Sequence, residues 1–318
     1  MTTNTEQPDT EQPNTDRART AQANSVPANT EPAETERTRT HPPEHRTVLV
    51  TSGTGKTGRR VVERLLARGA DVRSGSRTGD VPFDWRDESG WGHALRGADA
   101  AYVAYYPDLA APGAPEAMAA FGRMAADSGV RGLVLLSGRG EPQAVVAEEA
   151  LRGAAAGVEL TVLRSAFFAQ NFSEGALLDG VLAGELVFPG GSTAEPFVDV
   201  DDLADVAVAA LTGEIPGGSV HELTGPRLLT FDEVAAELGR ATGTEIRYEP
   251  VTGPRYAAAL ETYGVPSAEA HFLADLFVML LDGHNAMTTD GVKRALGRDA
   301  RDFTAFARRA VRDGAWSR

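Results

Sequence analysis

The 318-residue sequence predicts an α/β fold, a doubly wound parallel sheet followed by a smaller, mostly helical C-terminal region. Two observations support this prediction. From residue 47 onward, short apolar runs alternate with helical patterns, which is typical of a parallel sheet covered by helices on both faces. The first apolar run ends in a glycine-rich turn that leads into an amphipathic segment, as in units that bind dinucleotides beyond the ends of their strands.

The glycine-rich turn follows the strand predicted at residues 47–50 and precedes a helix with an apolar stripe. Glycine lets the backbone bend tightly and approach a pyrophosphate, whose charge then lies at the positive end of the following helix. An ordinary strand–turn–helix with chance glycines is the alternative. In the first interpretation the turn belongs to a Rossmann dinucleotide site, with a phosphate cradle formed by Gly53, Thr54, Gly55, Lys56, Thr57 and Gly58.

A nucleotide-hydrolysing phosphate loop is a further alternative, because Gly55-Lys56-Thr57 matches the end of its motif. That loop needs its first glycine five positions before Gly55, where this chain has Val50. Nucleotide hydrolysis is therefore not expected.

Further strands and helices are predicted in alternation up to residue 165. The strands are expected at residues 71–73, at Phe83, and at residues 100–104, 133–136 and 160–163. Helices that end at a glycine are expected at residues 115–128 and 144–156. We expect residues 47–165 to form an NAD(P)-binding domain.

Beyond residue 165 the pattern is less regular, and we expect a substrate-binding region with interleaved strands at residues 166–318. A short strand is predicted at residues 196–200, followed by a helix that Asp201 or Asp202 caps. The remaining predicted elements are a capping box at residues 230–233 and helices at residues 268–281 and 302–311.

Composition narrows the class of protein. Residues 1–46 have too few apolar side chains to form a core, so we expect a disordered tail rather than a signal or transit peptide. The formal net charge of −14 disfavours binding to nucleic acid, and no apolar run is long enough to span a membrane. The chain has no cysteine, and its histidines show no metal-ligand spacing, so we expect a cytoplasmic protein without a metal site.

The residues after the second predicted strand discriminate between nucleotides. A carboxylate about 20 positions beyond the glycine turn would bind the ribose 2′-hydroxyl of NAD, whereas a cation would accommodate the 2′-phosphate of NADP. This chain has Ser76-Arg77 there and no carboxylate. Because a guanidinium group matches phosphate oxygens, NADP is the predicted cofactor, the alternative being a solvated surface arginine.

Several separate segments together resemble the NmrA-like branch of the atypical short-chain dehydrogenase/reductase family, and within it the festuclavine/agroclavine dehydrogenase group. The resemblance covers residues 47–316. One departure is Ser52, which stands where many relatives have the first glycine of the motif. Besides the glycine turn, the matching segments are Gly75-Ser76-Arg77, Phe83-Asp84-Trp85, Leu135-Leu136-Ser137, residues 163–174, Pro196-Phe197-Val198 with Asp201-Asp202, and Gly225-Pro226 with residues 228–230.

The resemblance implies roles for individual residues. Gly55, Lys56, Thr57 and Gly58 would surround the pyrophosphate, and Arg77, next to Ser76, would meet the 2′-phosphate. Asp84 and Trp85 would lie near the adenine, while the nicotinamide and its ribose would be lined by Ala104, Tyr105, Ser137 and Phe167. The alternative is that Trp85 and Phe167 are core aromatics and that Ser137 is a turn residue at the end of a strand.

The Tyr-x-x-x-Lys pair of standard short-chain dehydrogenases is absent. In that pair the lysine lowers the pKa of the tyrosine, which can then exchange a proton with the substrate. This chain has only two lysines, Lys56 and Lys293, and neither lies four residues after a tyrosine. An iminium ion needs a hydride but no proton at its nitrogen, and a reduced quinone can take protons from water, so both acceptors would tolerate the missing pair.

The sequence therefore predicts an NADPH-dependent oxidoreductase that transfers a hydride to a small organic acceptor in secondary metabolism: an imine or iminium ion, an enone or a quinone. Ser137 and Tyr106 are the candidate catalytic residues. We expect a monomer or homodimer whose only partner is this small molecule. The alternative is an NmrA-like redox sensor that binds the dinucleotide without turnover, which the missing pair and the acidic tail also fit.

Overall fold

The computed structural model describes residues 46–317. The disordered tail expected at residues 1–46 thus lies outside the described residues, apart from Arg46. The strands are β1 (Thr47–Thr51), β2 (Asp71–Ser76), β3 (Val81–Pro82), β4 (Ala100–Val103), β5 (Gly132–Gly138), β6 (Glu159–Ser165), β7 (Glu185–Phe188), β8 (Ala194–Glu195), β9 (Val220–Leu223), β10 (Leu229–Thr230) and β11 (Arg247–Pro250).

The α-helices alternate with these strands in the first half of the described chain and predominate at its end. They are α1 (Gly58–Ala67), α2 (Trp91–Leu95), α3 (Ala114–Asp127), α4 (Pro142–Ala154), α5 (Asn171–Glu174), α6 (Leu178–Ala183), α7 (Val200–Thr212), α8 (Phe231–Thr242), α9 (Gly253–Thr262), α10 (Ser267–Leu280), α11 (Gly291–Leu296) and α12 (Phe303–Arg312).

Seven strands form one sheet in the order β3-β2-β1-β4-β5-β6-β9, and every neighbouring pair in it is parallel. The direction of strand order reverses between β1 and β4, which opens a crevice at the carboxyl ends of these strands. The predicted doubly wound fold class is confirmed.

Each face of the sheet has its own core, because successive side chains of a strand point to opposite faces. Leu49 packs beneath α2, α3 and α4, in a cluster that includes Trp91 and Phe121. Val48 and Val50 pack on the other face, beneath α1, α7 and α11. Burial on both faces explains why the central strands are almost continuously apolar.

A third core lies beyond the sheet and is rich in phenylalanine. Phe172, Phe188, Phe197, Phe231 and Phe303 are buried there, with neighbouring ring centroids 5.1 to 6.2 Å apart. Helices α8, α9, α10 and α12 contribute to this core, beside two small sheets of paired strands, β7 with β11 and β8 with β10. The chain beyond residue 165 builds this lobe, and it also contributes β9, α7 and α11 to the main sheet and its cover.

The strand predicted at residues 196–200 is wrong. Of these residues only Val198 makes a β-bridge, an isolated one to Phe168. The apolar run has another cause, because Phe197 packs into the phenylalanine-rich core while Val198 packs under the main sheet. The predicted cap of the next helix is wrong as well: the carboxylate of Asp199, not of Asp201 or Asp202, accepts a hydrogen bond at its N-terminus, from the backbone N–H of Asp201 at 2.9 Å.

Other predicted elements differ little from the observed ones. Phe83 follows β3 directly instead of lying in it, because its ring turns into the aromatic cluster around Trp91. The capping box of Thr230 and Glu233 is confirmed, and α10 and α12 begin and end within one residue of the prediction. Within residues 46–317, no helix is both long enough and apolar enough to cross a bilayer.

Candidate functional site

The glycine turn at the carboxyl end of β1 leaves no room for side chains at two of its positions. A Cβ atom on Gly58 would overlap the carbonyl oxygen of Ser52, and one on Gly53 would overlap the side chain of Ser74. The backbone N–H of Gly55 closes the turn by donating to the Ser52 carbonyl at 2.8 Å. The N-terminus of α1 is thereby held close to the ends of β1 and β2.

Ser52, at the position where the resemblance led us to expect a glycine, adopts a backbone conformation that favours glycine. Its φ is +51°, in the left-handed region, where a side chain costs about 1 to 2 kcal/mol. Its hydroxyl donates a hydrogen bond of 2.9 Å to the carbonyl of Ala104, beyond the end of β4. Since such a bond contributes about 0.5 to 1.5 kcal/mol, it offsets much of that cost.

The start of α1 suits an anion. The residue before the helix, Thr57, makes no side-chain hydrogen bond to the first N–H groups, and the first turn contains no acidic residue. The backbone N–H of Arg59 donates to the carbonyl of Gly55 at 3.0 Å, and that of Arg60 donates to the carbonyl of Thr57 at 3.1 Å. The N–H of Gly58 has no partner among the described residues, and it lies at the end of the helix where the dipole is positive. A cofactor pyrophosphate fits this cradle, which a side chain on Gly58 would fill.

A cavity of about 440 Å³ opens beside the turn, and we call it the Arg77 cavity. Arg77 is exposed and makes no ion pair with any other described residue. Arg86, which was not among the predicted residues, brings a second cation to the same cavity. The other lining residues are Ser52, Thr54, Gly55, Ser76, Thr78, Phe83, Asp84, Trp85 and Tyr106.

Trp85 is both a cavity residue and a core aromatic. It is 8% exposed, and its ring lies 4.9 Å from Phe83 and 5.1 Å from Tyr105, measured between centroids. Its indole N–H donates to the carbonyl of Ala104 at 2.8 Å. That carbonyl therefore accepts hydrogen bonds from both the Ser52 hydroxyl and the Trp85 indole, and the two bonds connect the turn to the aromatic cluster.

A second cavity, of about 230 Å³, lies at the carboxyl ends of β4, β5 and β6, and we call it the Glu141 cavity. Three predicted residues line it: Tyr105, Ser137 and Phe167. Helix α10 covers it with Leu276, Phe277 and Leu280. The consecutive residues Tyr105 and Tyr106 face different cavities.

The Glu141 cavity is lined by carboxyl groups that the sequence did not predict. Burial and the neighbouring Asp108 raise the pKa of Glu141 to about 9. Burial raises the pKa of Asp108 as well, and it raises the pKa of Glu195 to about 7. The guanidinium of Arg139 also lines the cavity but is bound to the Asn285 carbonyl at 2.8 Å and to Glu222 at 3.3 Å.

The two candidate catalytic hydroxyls, of Ser137 and Tyr106, make no hydrogen bond to the carboxyl groups described above. The hydroxyl of Ser137 is buried and donates to Glu148 at 2.6 Å, and Glu148 forms an ion pair with Arg164 at 2.6 Å. Tyr106 is 52% exposed, and its hydroxyl lies 3.4 Å from a carboxylate oxygen of Glu269. Ser137 is therefore engaged with α4, and Tyr106 is in contact with solvent.

Lys56 extends from the glycine turn towards the Glu141 cavity. Its ammonium group donates to the side-chain carbonyl of Asn171 and lies 5.9 Å from the ring centre of Phe168, and both of these residues line that cavity. Burial lowers the pKa of Lys56 to about 8. The ammonium group of Lys56, a residue of the glycine turn, thus lies beside two residues of the Glu141 cavity.

Sequence reasoning missed Asp108, Glu141 and Glu195, for different reasons. Glu141 follows the strand predicted at residues 133–136 by five residues, so its position beyond the end of that strand could have indicated it. Asp108 similarly follows β4 after the aromatic pair Tyr105-Tyr106. Glu195 belongs to the distant strand β8, and no local pattern marks it.

Comparison with known proteins finds relatives that match most of the chain, several of them oxidoreductases by name. The chain is 31% identical to agroclavine dehydrogenase of Claviceps fusiformis over 282 residues, which cover 82% of this chain and 96% of the relative. It is 31% identical to the uncharacterized oxidoreductase YesF of Bacillus subtilis, in a match that covers 82% of this chain and 93% of the relative. It is 29% identical to NAD(P)H azoreductase of Xenophilus azovorans, in a match that covers 82% of this chain and 96% of the relative. No family model matches the chain.

Solved structures with the same fold include a triphenylmethane reductase of Citrobacter, with a TM-score of 0.67, 21% identity, and 84% of this chain and 99% of that chain covered. Another is an NADPH-dependent quinone oxidoreductase of Escherichia coli in complex with NADPH, with a TM-score of 0.67, 20% identity, and coverage of 83% and 99%. At this identity the likeness establishes the fold alone.

Proposed function

Because this chain belongs to the NmrA-like branch of the atypical short-chain dehydrogenase/reductase family and is an NAD(P)-dependent oxidoreductase, we propose that it transfers a hydride from NADPH to a small organic acceptor. One observation supports the proposal above all others. Two cavities lie beyond the ends of one set of parallel strands: the Arg77 cavity, beside the glycine turn and lined by two arginines, and the covered, largely apolar Glu141 cavity.

In this proposal the glycine turn and the Arg77 cavity hold the nucleotide. The backbone donors at the start of α1 bind the pyrophosphate, and Arg77, with Ser76 beside it, binds the 2′-phosphate of NADP through charge-assisted hydrogen bonds. Asp84 and Trp85 lie beside the adenine. When bound, the reduced nicotinamide supplies a hydride, and Ala104, Tyr105, Ser137 and Phe167 orient it.

The acceptor lies in the Glu141 cavity. Phe167 and the α10 residues Phe277 and Leu280 provide flat, apolar walls, which suit a planar conjugated molecule and exclude water from it. An imine or iminium ion, an enone or a quinone of secondary metabolism fits this lining. The relatives include an agroclavine dehydrogenase and an NAD(P)H azoreductase, and a solved structure of the same fold is an NADPH-dependent quinone oxidoreductase.

The test is NADPH oxidation by the purified protein with a panel of cyclic imines, iminium ions, quinones and enones, with the affinities for NADPH and NADH measured in parallel. We expect turnover of at least one class and tighter binding of NADPH than of NADH. A Gly58→Val variant is the control for direct chemical reduction of the acceptor by NADPH, because the valine side chain fills the space proposed for the pyrophosphate. Tight binding of NADPH without turnover of any acceptor would instead favour the redox sensor.

The proposal places this enzyme in the cytoplasm, where NADPH is available, as a monomer or homodimer. In this proposal the enzyme binds the small acceptor as its partner and does not bind nucleic acid. Light scattering of the purified protein determines the oligomeric state, and a larger assembly would contradict this part of the proposal.

A further inference from the structure

Two carboxyl groups from different loops meet in the Glu141 cavity. Asp108 lies in the loop after β4, Glu141 lies immediately before α4, and the two groups are within hydrogen-bonding reach of each other. The backbone N–H of Ala110 donates to Asp108 at 2.8 Å, which stabilises the ionised form of that carboxyl. The arrangement therefore favours Asp108 as acceptor and Glu141 as the group that carries the shared proton.

Glu141 is positioned for a role in the cavity rather than in the helix that follows it. Although it precedes the first turn of α4, its side chain makes no capping hydrogen bond. It is 6% exposed, and no N–H group or hydroxyl of the described residues donates to its Oε2 atom. A buried polar atom without a partner is costly, and a ligand in the cavity would satisfy it.

The end of β5 holds this carboxyl in place. A Cβ atom on Gly138 would overlap the carboxyl group of Glu141, so the group packs directly on the backbone beyond Ser137. In the proposed function, that part of β5 lies beside the nicotinamide. The carboxyl is thus placed where an acceptor has to approach.

Several charged groups surround Glu141, and two of them raise its proton affinity. Asp108 and Glu148 both oppose its ionisation and act in the same direction as burial. Glu195 and Arg139 line the same cavity with opposite charges, and Arg139 is engaged by Asn285 and Glu222. His284, paired with Asp282, contacts the carbonyl of Gly140 at 3.0 Å.

We propose that Glu141 is the proton donor of this reductase, oriented by Asp108, and that the natural acceptor is therefore a neutral conjugated compound, an enone, a quinone or an uncharged imine. This inference rests on the proposed function and selects among its acceptors. The acceptor gains one hydride, supplied by the reduced nicotinamide, and one proton, which leaves the carboxyl of Glu141 for the developing anionic oxygen or nitrogen. The carboxylate of Glu141 then takes a proton from water.

The first test needs neither cofactor nor acceptor. Infrared difference spectra between H₂O and D₂O at pH 8, where Glu195 is mostly ionised and Glu141 still holds its proton, should show the C=O stretch of a protonated carboxyl in the wild-type protein. The band should disappear in Glu141→Gln and persist in the matched control Glu195→Gln, which changes another carboxyl of the same cavity. A wild-type protein without the band, or a band that survives Glu141→Gln, would overturn the proposal.

The second test compares a neutral with a cationic acceptor. With 1,4-naphthoquinone or 2-cyclohexenone, Glu141→Gln should lower kcat by about 10² to 10⁴, the usual cost of a lost general acid, with little change in KM or in NADPH affinity. With N-methyl-3,4-dihydroisoquinolinium, which needs no proton, kcat should change by less than about threefold. No turnover of this cation by either form also agrees with a neutral natural acceptor.

The outcomes separate the two proposals. Equal losses on neutral and cationic acceptors, or unchanged turnover of the neutral ones, would show that Glu141 is not the donor while leaving the reductase function intact. A carboxyl band without turnover of any acceptor by the wild-type protein would overturn the proposed function, and the donor role with it. Gly138→Ala, which must displace the carboxyl, should reproduce the loss on neutral acceptors.

Discussion

The two cavities differ in how the chain builds them. The Arg77 cavity takes nearly all of its lining from residues 52–86, which follow the first three strands in order. The Glu141 cavity combines five separate segments, from Tyr105 after β4 to Asn285 after α10. The first depends on backbone geometry and cations close together in sequence, whereas the second depends on carboxyl groups that only the folded chain brings together.

This contrast predicts which substitutions affect which function. Changes around the Arg77 cavity should alter nucleotide affinity, because its groups bind charge. Changes in the Glu141 cavity should alter proton transfer and pH dependence, because its groups are buried acids. The following experiments test this division, starting with the largest expected effect.

Gly58→Val should weaken NADPH binding by at least about 100-fold, because the new side chain overlaps the Ser52 carbonyl and only movement of the turn can relieve the clash. Calorimetric titration with NADPH measures this, with circular dichroism as the check on folding. Gly153→Ala is the matched control: it changes a glycine of α4 that has open space around it and should bind normally. Unchanged affinity in Gly58→Val would remove the turn from the cofactor site.

Arg77→Ala should weaken NADPH binding by roughly 1.5 to 3 kcal/mol and leave NADH binding nearly unchanged, because only NADPH carries the 2′-phosphate. The dissociation constants of both nucleotides, measured in the same buffer, give the comparison. Arg255→Ala, at an exposed arginine of α9 outside both cavities, is the control for a lost surface charge. Equal losses for the two nucleotides would contradict the assignment.

Glu141→Gln should make stability less dependent on pH. The pKa of Glu141 is raised from its ordinary value of 4.5 to about 9, so the folded protein holds a proton that the unfolded chain releases. That contribution to stability is complete below pH 4.5 and is lost as the pH rises towards 9, at up to about 1.4 kcal/mol per pH unit. Denaturant titrations at pH 6, 7 and 8 should show this decline in the wild type and a smaller one in the variant; parallel declines would contradict it.

Tyr106→Phe should change kcat by less than about tenfold, since the loss of a true proton donor costs about 10² to 10⁴. Tyr106 is half-exposed, and its hydroxyl lies 3.4 Å from a carboxylate oxygen of Glu269, a long hydrogen bond. Neither residue lines the Glu141 cavity. Turnover of a neutral acceptor at saturating NADPH measures the effect. A thousandfold loss with intact NADPH affinity would make Tyr106 the donor and would count against Glu141.

The predictable parts of the molecule are those with local causes. The glycine turn, the start of the second strand at Asp71, and the capping box of Thr230 follow from residues a few positions apart, and the structure has them where they were predicted. Residues 196–200 show where this reasoning fails. Their apolar character suggested a strand, but Phe197 and Val198 serve two different cores, which a single sequence pattern does not distinguish.

The sequence by itself determined the doubly wound sheet and the glycine turn after its first strand, because alternating apolar runs and closely spaced glycines act through short-range sterics and burial. Only the tertiary structure decided that Asp108 meets Glu141, that Ser137 is engaged by Glu148, and that α10 covers the second cavity. The physical reason is that the proton affinity of a carboxyl depends on desolvation and on neighbouring charges, and both are set by residues far away in the chain.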